Sequence, residues 1–325
     1  MRIVVTGAAG FIGSHLVEEL VRLNHEVIAI DNLKTGKLSN LKTIINDIDF
    51  HEIDIRSKNL SDYFVGAKQI FHLAALADIV PSISDPYEYM EVNVMGTTRV
   101  LEAARSVGAT RVIYAASSSC YGIPDQYPTS ELSQISPQYP YALSKYLGEL
   151  TFFHWLNVYG IKGLSLRLFN VYGPRARTSG SYGAVLGVFL AQKNANFPLT
   201  IVGDGTQTRD FTYVSDVIGA LLVAGESDVS GVPINIGTSQ TTSINYLAEM
   251  IGGEVTYIPK RPGEPAVTQA DTTRAKNLLG WQSEINIERG LEMVISAQET
   301  WIDAPVWTLE SIDKATSDWF RYLGK

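Results

Sequence analysis

In the stretch "YPYALSKYLGE", Tyr141 and Lys145 stand four residues apart, so on a helix they share one face. A phenol with its ordinary pKa near about 10 is a poor base. An ammonium group one turn away favours the phenolate. The pair therefore reads as a proton acceptor with its activator. A second group of hydroxyls stands in "YAASSSCYG", residues 114–122, where Ser117, Ser118 and Ser119 follow a β-rich run. Such a run is either a loop or the edge of an active site furnished with hydroxyls where acids would otherwise stand.

The first residues indicate what that base works beside. "VTGAAGFIGSH" places Gly7, Gly10 and Gly13 between an apolar run and a helical pattern. Gly7 permits a tight turn, Gly10 lets the backbone approach a pyrophosphate, and Gly13 allows close helix packing, with the helix N-terminus facing the phosphates. Asp31 ends the next apolar run, roughly 20 residues on, where a carboxylate accepts hydrogen bonds from an adenosine ribose and repels a 2′-phosphate. NAD is the expected cofactor, in preference to NADP. Its nicotinium ring would favour the Tyr141 phenolate further. Asp54 and Ile55 follow a third run and could meet the adenine; Asp54 serves equally well as a helix N-cap. "HLAA" places Leu73, Ala74 and Ala75 at another run's end, small enough for backbone to pass close to a cofactor, although a plain strand end reads the same way.

The elements that must carry these groups are a βαβ series. "RIVVTG" (2–7), "EVIAID" (26–31), "DFHEID" (49–54), "QIFHLAA" (69–75), "RVIYAAS" (111–117) and "LSLRLFN" (164–170) read as strands with room for helices between them. This predicts an α/β fold: a Rossmann-type doubly wound parallel sheet over 1–172, with a smaller mixed α/β substrate-binding domain. Beyond about residue 172 the loops lengthen and the elements shorten. "YVSDVIGALLVAG" (213–225) still reads as an amphipathic helix with Ser215 as N-cap, and about 211–236 is expected to rejoin the first domain. The second domain is then 173–210 and 237–325.

Composition sets the outer bounds. The chain has 325 residues, 45% hydrophobic and 18% charged, enough to bury a sizeable core. A net charge of −8 argues against nucleic acid as a partner. The lone Cys120 excludes an internal disulfide and suits a reducing, cytoplasmic setting. The N-terminus has no secretory h-region. The longest apolar run, "VIGALLVAG" (217–225), is about half the ~20 residues of a spanning helix, so no membrane partner is expected. No metal site is assigned.

With these motifs in order, the chain resembles the extended short-chain dehydrogenase/reductases, and among them the nucleotide-sugar 4-epimerases related to UDP-glucose/UDP-galactose 4-epimerase. The resemblance runs from "VTGAAGFIGSH" through "DNLKTGK", "DIR", "HLAA", "NVMGT", "SSSCYG", "YALSK", "RLFNVYGPR", "GDGTQTRDF" and "KRPGEPAVTQAD" to "LLGW" at 281. It implies that Phe11, Ile12, Asn32, Thr35 and Gly36 join the glycines and Asp31 around NAD. It implies further that Tyr141 takes the proton of a sugar 4-hydroxyl while NAD takes the C4 hydride, with Ser117 hydrogen-bonding the 4-oxygen and Ser119 lining the sugar pocket. Lys145 also holds the nicotinamide ribose. Asn93 lies near that lysine, as a cofactor neighbour or a packing amide. Phe169 is placed at the nicotinamide and Asn170 at the diphosphate. Arg209 and Arg261 match the arginines that clamp the diphosphate, Glu264 stands where an Asp more usually holds the nucleotide ribose, and backbone near Thr200 and Val202 reads the base. Thr268 falls at the position beside the sugar C2 substituent, where an aromatic would exclude an N-acetyl group and threonine leaves room.

The resemblance thus implies inversion at C4 of a UDP-hexose, such as UDP-GlcNAc/UDP-GalNAc or UDP-Glc/UDP-Gal, through a 4-keto intermediate. "RTSGSYGAV" (177–185) is similar to enzymes of N-acetylhexosamines, while Arg177 could instead pair with a uronate, which would make the substrate UDP-glucuronate. A 4,6-dehydratase carries an Asp-Glu pair after the first hydroxyl, and a decarboxylase keeps a glutamate there; this chain has Ser118 and Ser119. Asp31 disfavours an NADPH reductase, and a silent NAD-binding regulator would commonly lack Tyr141 or Lys145. The resemblance also implies a homodimer formed through two helices of the nucleotide domain. The tail "APVWTLESIDKATSDWFRYLGK" carries Ile312, Ala315, Trp319, Phe320 and Leu323 at helical spacing and is expected to dock on its own subunit.

Overall fold

The computed structural model describes residues 1–176, 185–297, 301 and 304–324. Arg177 and the rest of 177–184 lie outside the described residues.

Strands β1 (Arg2–Thr6), β2 (Glu26–Asp31), β3 (Asp49–Glu52), β4 (Gln69–His72), β5 (Arg111–Ser117) and β6 (Lys162–Leu168) come in sequence order. Short strands follow: β7 (Val171–Tyr172), β8 (Leu199–Val202), β9 (Thr208–Arg209) and β10 (Thr212–Tyr213). Then come β11 (Pro233–Ile236), β12 (Thr242–Ser243) and β13 (Val255–Ile258). The main sheet has seven strands in the order β11-β6-β5-β4-β1-β2-β3, every pair parallel. Strand order reverses between β1 and β4, and a crevice opens there at the strands' C-terminal ends, where such folds bind ligands.

The helices are α1 (Phe11–Arg22), α2 (Ile79–Ser84), α3 (Pro86–Met90), α4 (Thr97–Ser106), α5 (Pro140–Tyr159) and α6 (Val185–Asn194). They continue with α7 (Val214–Glu226), α8 (Ile244–Ile251), α9 (Thr273–Leu279), α10 (Ile287–Ser296) and α11 (Leu309–Leu323). Strand alternation sorts the core into two layers. Ile3, Val5, Phe71 and Ile113 bury against Leu16 and Leu20 of α1 and Val217 and Leu221 of α7. Val4, Ile28, Ile70 and Val112 bury against Val100 and Leu101 of α4 and Phe152 and Leu156 of α5. Near-continuous apolar strands are what a parallel sheet covered on both faces requires.

After β10 the chain crosses back by α7 and adds β11 to the sheet edge beside β6. Ser215 is not the N-cap of α7. Pairing of β10 with β7 carries strand geometry up to Tyr213, the helix starts at Val214, and Ser215 falls inside its first turn. Asp216 of that turn accepts from the backbone N–H groups of Glu284 and Ile285, both at 3.0 Å, and so ties the returning helix to the C-terminal segment. A second lobe gathers α6, α8 and the parallel pair β8–β13 over the crevice. No helix among the described residues is long and apolar enough to cross a membrane.

The tail folds onto its own chain. α11 is capped at Thr308, whose hydroxyl accepts from the Ser311 N–H, and it packs on α2. Ile312 and Trp319 are buried, whereas Phe320 turns to solvent at 38% exposure.

Candidate active site

The crevice is a cavity of about 640 Å³ between the sheet's C-terminal edge and the second lobe. Gly7, Gly10, Phe11, Ile12 and Gly13 line its floor. Gly7 has a left-handed backbone (φ 73°), and a Cβ there would stand 2.8 Å from the Ala74 nitrogen. A Cβ on Gly13 would reach within 2.0 Å of the Gly7 carbonyl oxygen, so this glycine lets α1 start directly against the turn. The α1 N-terminus then offers its free backbone N–H groups and dipole to an anion. Asp31 accepts from the N–H of Ala9 (3.0 Å) and of Leu33 (2.8 Å). Burial pushes its carboxyl up, and the N–H groups of Leu33, Ala9 and Gly10 pull it back.

Around that end stand Asn32, Thr35, Ile55, Leu73, Ala74 and Ala75. Asp54 also lines the cavity and closes its own turn. Arg56 grips both its oxygens at 2.9 and 2.7 Å and, with Asn32, holds its carboxyl down at about 2. A dinucleotide fits these residues: a glycine turn without side chains at a helix N-terminus, then a fixed carboxylate at the end of β2.

At the other end Tyr141 and Lys145 rise from the first turns of α5, opposite Ser117 at the end of β5. Ser117 and Ser119 share a hydrogen bond of 2.8 Å between their hydroxyls, and Ser117 Oγ also accepts from the Ser119 N–H. These serines form a tight turn and not a free loop. Burial pushes the Tyr141 phenol up; hydrogen bonding to Ser117 and, more weakly, to Ser119 pulls it down, against the charges of Asp78 and Cys120. Lys145 is buried, with its Nζ 4.4 Å from the Tyr114 ring centroid. Burial draws its pKa down to about 7, opposed by the Glu149 charge one turn further along α5.

This gives a testable linkage. In NAD-stripped enzyme the native state releases the Lys145 proton near pH 7, while the unfolded chain keeps it to about pH 10. Between those values the unfolded state binds more protons, so wild-type stability rises with pH relative to Lys145→Met, by up to ~1.4 kcal/mol per pH unit. Urea unfolding of both proteins at pH 7 and pH 9 measures it; equal changes would refute the lowered pKa of Lys145.

Beyond the tyrosine the second lobe supplies charge. Arg261 donates to Glu264 at 3.0 Å, and Arg209 lies 3.9 Å from the same carboxylate, so one acid spaces two guanidinium groups. Thr268 donates to Asn170 Oδ1 at 2.9 Å, and Thr200 and Val202 come from β8. All seven of these residues line the cavity.

Gly36, Asn93 and Phe169, assigned to the cofactor from sequence, do not line the cavity. A Cβ on Gly36 would press the Asp31 carboxylate at 2.9 Å, so it lies behind that acid. Asn93 is consumed in packing: its amide bonds the Leu76 backbone on both sides (2.8 and 2.9 Å) and donates to Ser144 (2.9 Å), pinning the loop after β4 to α5. Phe169 sits between Leu168 and Asn170, which both line the cavity, but its ring packs against Tyr121 and Cys120. The geometry also adds lining residues that motif reading passed over: Asp78, Tyr139, Gln207 and Trp319. Tyr139 had a local signal, two residues before Tyr141 in "YPYALSK"; Trp319 lies far away in sequence and had none.

Residues 3–237 match the NAD dependent epimerase/dehydratase family. The chain is 37% identical over 306 residues to the UDP-glucose 4-epimerase of Mycolicibacterium smegmatis, covering 91% of this chain and 97% of that one. It is similar in structure (TM-score 0.87, 31% identity, 91% and 97% of the two chains) to UDP-N-acetylglucosamine 4-epimerase from Methanobrevibacter ruminantium, solved with UDP-N-acetylmuramic acid. It is also similar (TM-score 0.85, 32% identity, 92% and 99%) to UDP-glucuronic acid 4-epimerase from Bacillus cereus, solved with UDP-glucuronic acid and NAD. A match over most of the sheet-forming chain, together with a cavity built of glycine turn, carboxylate and Tyr–Lys pair, places this protein in the NAD dependent epimerase/dehydratase family, with NAD as its cofactor.

Proposed function

We propose that the protein inverts C4 of a UDP-hexose through a 4-keto intermediate and has room for an N-acetyl group at C2. The observation that carries this reading is the hydroxyl cluster of Tyr141, Ser117 and Ser119, set in one cavity with the glycine turn and with Arg209 and Arg261. Bound NAD supplies a hydride acceptor and donor at C4. Tyr141 takes the 4-hydroxyl proton and later returns it. Ser117 hydrogen-bonds the 4-oxygen and Ser119 holds the Ser117 hydroxyl in place. The Lys145 ammonium stabilises the phenolate.

Arg209 and Arg261 take the diphosphate, because a guanidinium fork donates two parallel hydrogen bonds to such oxygens. Glu264 keeps the two like charges apart and meets the nucleotide ribose, with Thr200 and Val202 near the base. Thr268 is small, and its hydroxyl is already committed to Asn170, which leaves space beside C2. Elimination or decarboxylation would call on acids directly after Ser117, where this chain carries Ser118 and Ser119. The test is NMR of purified enzyme incubated separately with UDP-glucose, UDP-N-acetylglucosamine and UDP-glucuronate. Inversion at C4 of an N-acetylated or neutral hexose is expected. Inversion of the uronate alone would move the substrate class, and elimination, loss of CO₂ or no reaction would overturn the proposal.

We also read the enzyme as a homodimer through α4 and α5. Met95 next to α4 and Leu143 and Leu150 on α5 are exposed apolar side chains on this part of the nucleotide-binding lobe. Sedimentation should show twice the chain mass; a monomer at micromolar concentration would refute it.

A further inference from the structure

α11 is fastened at neighbouring residues to both walls of the crevice. Asp318 accepts from Ser84 at the end of α2 (3.0 Å), and Trp319 Nε1 donates to the Pro262 carbonyl of the second lobe (2.7 Å). One turn or more back, Ile312 and Ala315 pack with Val188 of α6 and Ile258 of β13. Trp319 is 1% exposed and lines the cavity. On one side the Tyr139 ring lies 6.1 Å away, and Tyr139 in turn stacks on Tyr141 with centroids at 6.4 Å and planes within 6°. On the other side the Arg261 guanidinium stands 5.4 Å from the indole centroid. Trp319 therefore touches both Tyr139, the ring next to the phenol assigned to proton transfer, and a guanidinium assigned to the diphosphate.

An indole has a specific use at that place. Arg261 and Arg209 share one carboxylate, Glu264. A diphosphate arriving between them competes with Glu264 for the same N–H donors. The aromatic face attracts the guanidinium through its quadrupole and uses none of those donors. It can hold the plane of Arg261 both before and after the anion binds, and the Nε1–Pro262 bond holds the indole itself.

We propose that Trp319 is a positioning residue for the nucleotide diphosphate: it orients Arg261 from the C-terminal helix and walls the cavity between that arginine and Tyr139. The proposal rests on the sugar-nucleotide reading above. It is tested by calorimetric titration of UDP into NAD-loaded wild type, Trp319→Leu and Trp319→Phe, with KM and kcat measured alongside. Leucine fills the site without a π face, and the Leu variant should bind UDP about tenfold more weakly, with a matching rise in KM and little change in kcat. Phenylalanine restores the face and should stay within about threefold of wild type. A folded Leu variant that binds UDP like wild type overturns the proposal, as does a Phe variant weakened tenfold or more, an outcome readable even if the Leu variant fails to fold. Wild-type protein that does not bind UDP overturns the sugar-nucleotide reading itself, a result distinct from failure of Trp319 alone.

Discussion

Tyr141→Phe should lower turnover about a thousandfold while leaving NAD content and fold intact, because one positioned acid–base group is worth roughly 10²–10⁴ in rate. The change removes one oxygen from a side chain that borders the cavity at the start of α5. The ring contacts with Tyr89 and Tyr139 remain, so packing has little reason to change. Ser117→Ala should cost less, about 10–100-fold, the range of one hydrogen bond to a charged group, since Tyr141 and Lys145 stay in place. The check is steady-state C4 inversion with bound NAD quantified in each protein. Near-normal turnover in the Phe variant would remove Tyr141 from the chemistry. A Ser117→Ala variant as crippled as Tyr141→Phe would mean that the serine is as essential to the proton transfer as the tyrosine.

Glu149→Ala should destabilise the protein by about 3–5 kcal/mol, the cost of leaving one member of a buried ion pair without its partner. Glu149 sits on α5 one turn after Lys145 and meets the Arg167 guanidinium at 2.7 Å, with both side chains almost fully enclosed. It also accepts from Ser165. Arg167 continues to the Tyr121 hydroxyl (2.9 Å), which donates to Asn235 (2.7 Å), so the network links α5, β6 and β11 behind the Ser117–Ser119 turn. Removing the acid strands a guanidinium in the core. It also removes the charge that opposes the burial of Lys145, so the ammonium should lose its proton more readily and activity near neutral pH should fall with stability. Glu149→Gln keeps hydrogen-bonding atoms in place and should lose less. Chemical unfolding of the NAD-loaded variants measures this, and an unchanged midpoint for Glu149→Ala would show that the pair is not what ties these elements together.

Much of this architecture is legible in local spacing. Apolar runs of strand length with helical patterns between them specify a parallel α/β sheet, because only such a sheet buries both faces of its strands. Gly7 and Gly13 are readable because a turn against a helix leaves no room for Cβ atoms there. Tyr141 and Lys145 are readable because an i, i+4 pair shares a helix face whatever the helix packs against. The serine run could be read from its residues as a loop or as a site edge, and the fold decides for the edge because β5 ends at the crevice, beside the ends of β1, β2, β4 and β6.

Other features depended on contacts that spacing does not contain. Phe169 belongs to a motif that includes Asn170, but the two lie just past the end of β6, and the packing of Phe169 against Tyr121 and Cys120 leaves only Asn170 at the cavity. Asn93 has the right neighbourhood, yet its amide is used up by Leu76 and Ser144, partners 17 and 51 residues away. The start of α7 moved by two residues because β10 pairs with β7, a contact between segments some 40 residues apart. Trp319 is the clearest case. Its spacing within α11 predicts a buried stripe and no more. It becomes a wall of the cavity because α11 packs on α2 and the indole meets the Pro262 carbonyl and the Tyr139 ring, partners that only the folded chain brings together. Local periodicity determines which face of an element is buried; the long-range packing of the folded chain determines what that face is buried against, and so which buried residues stand at the chemistry.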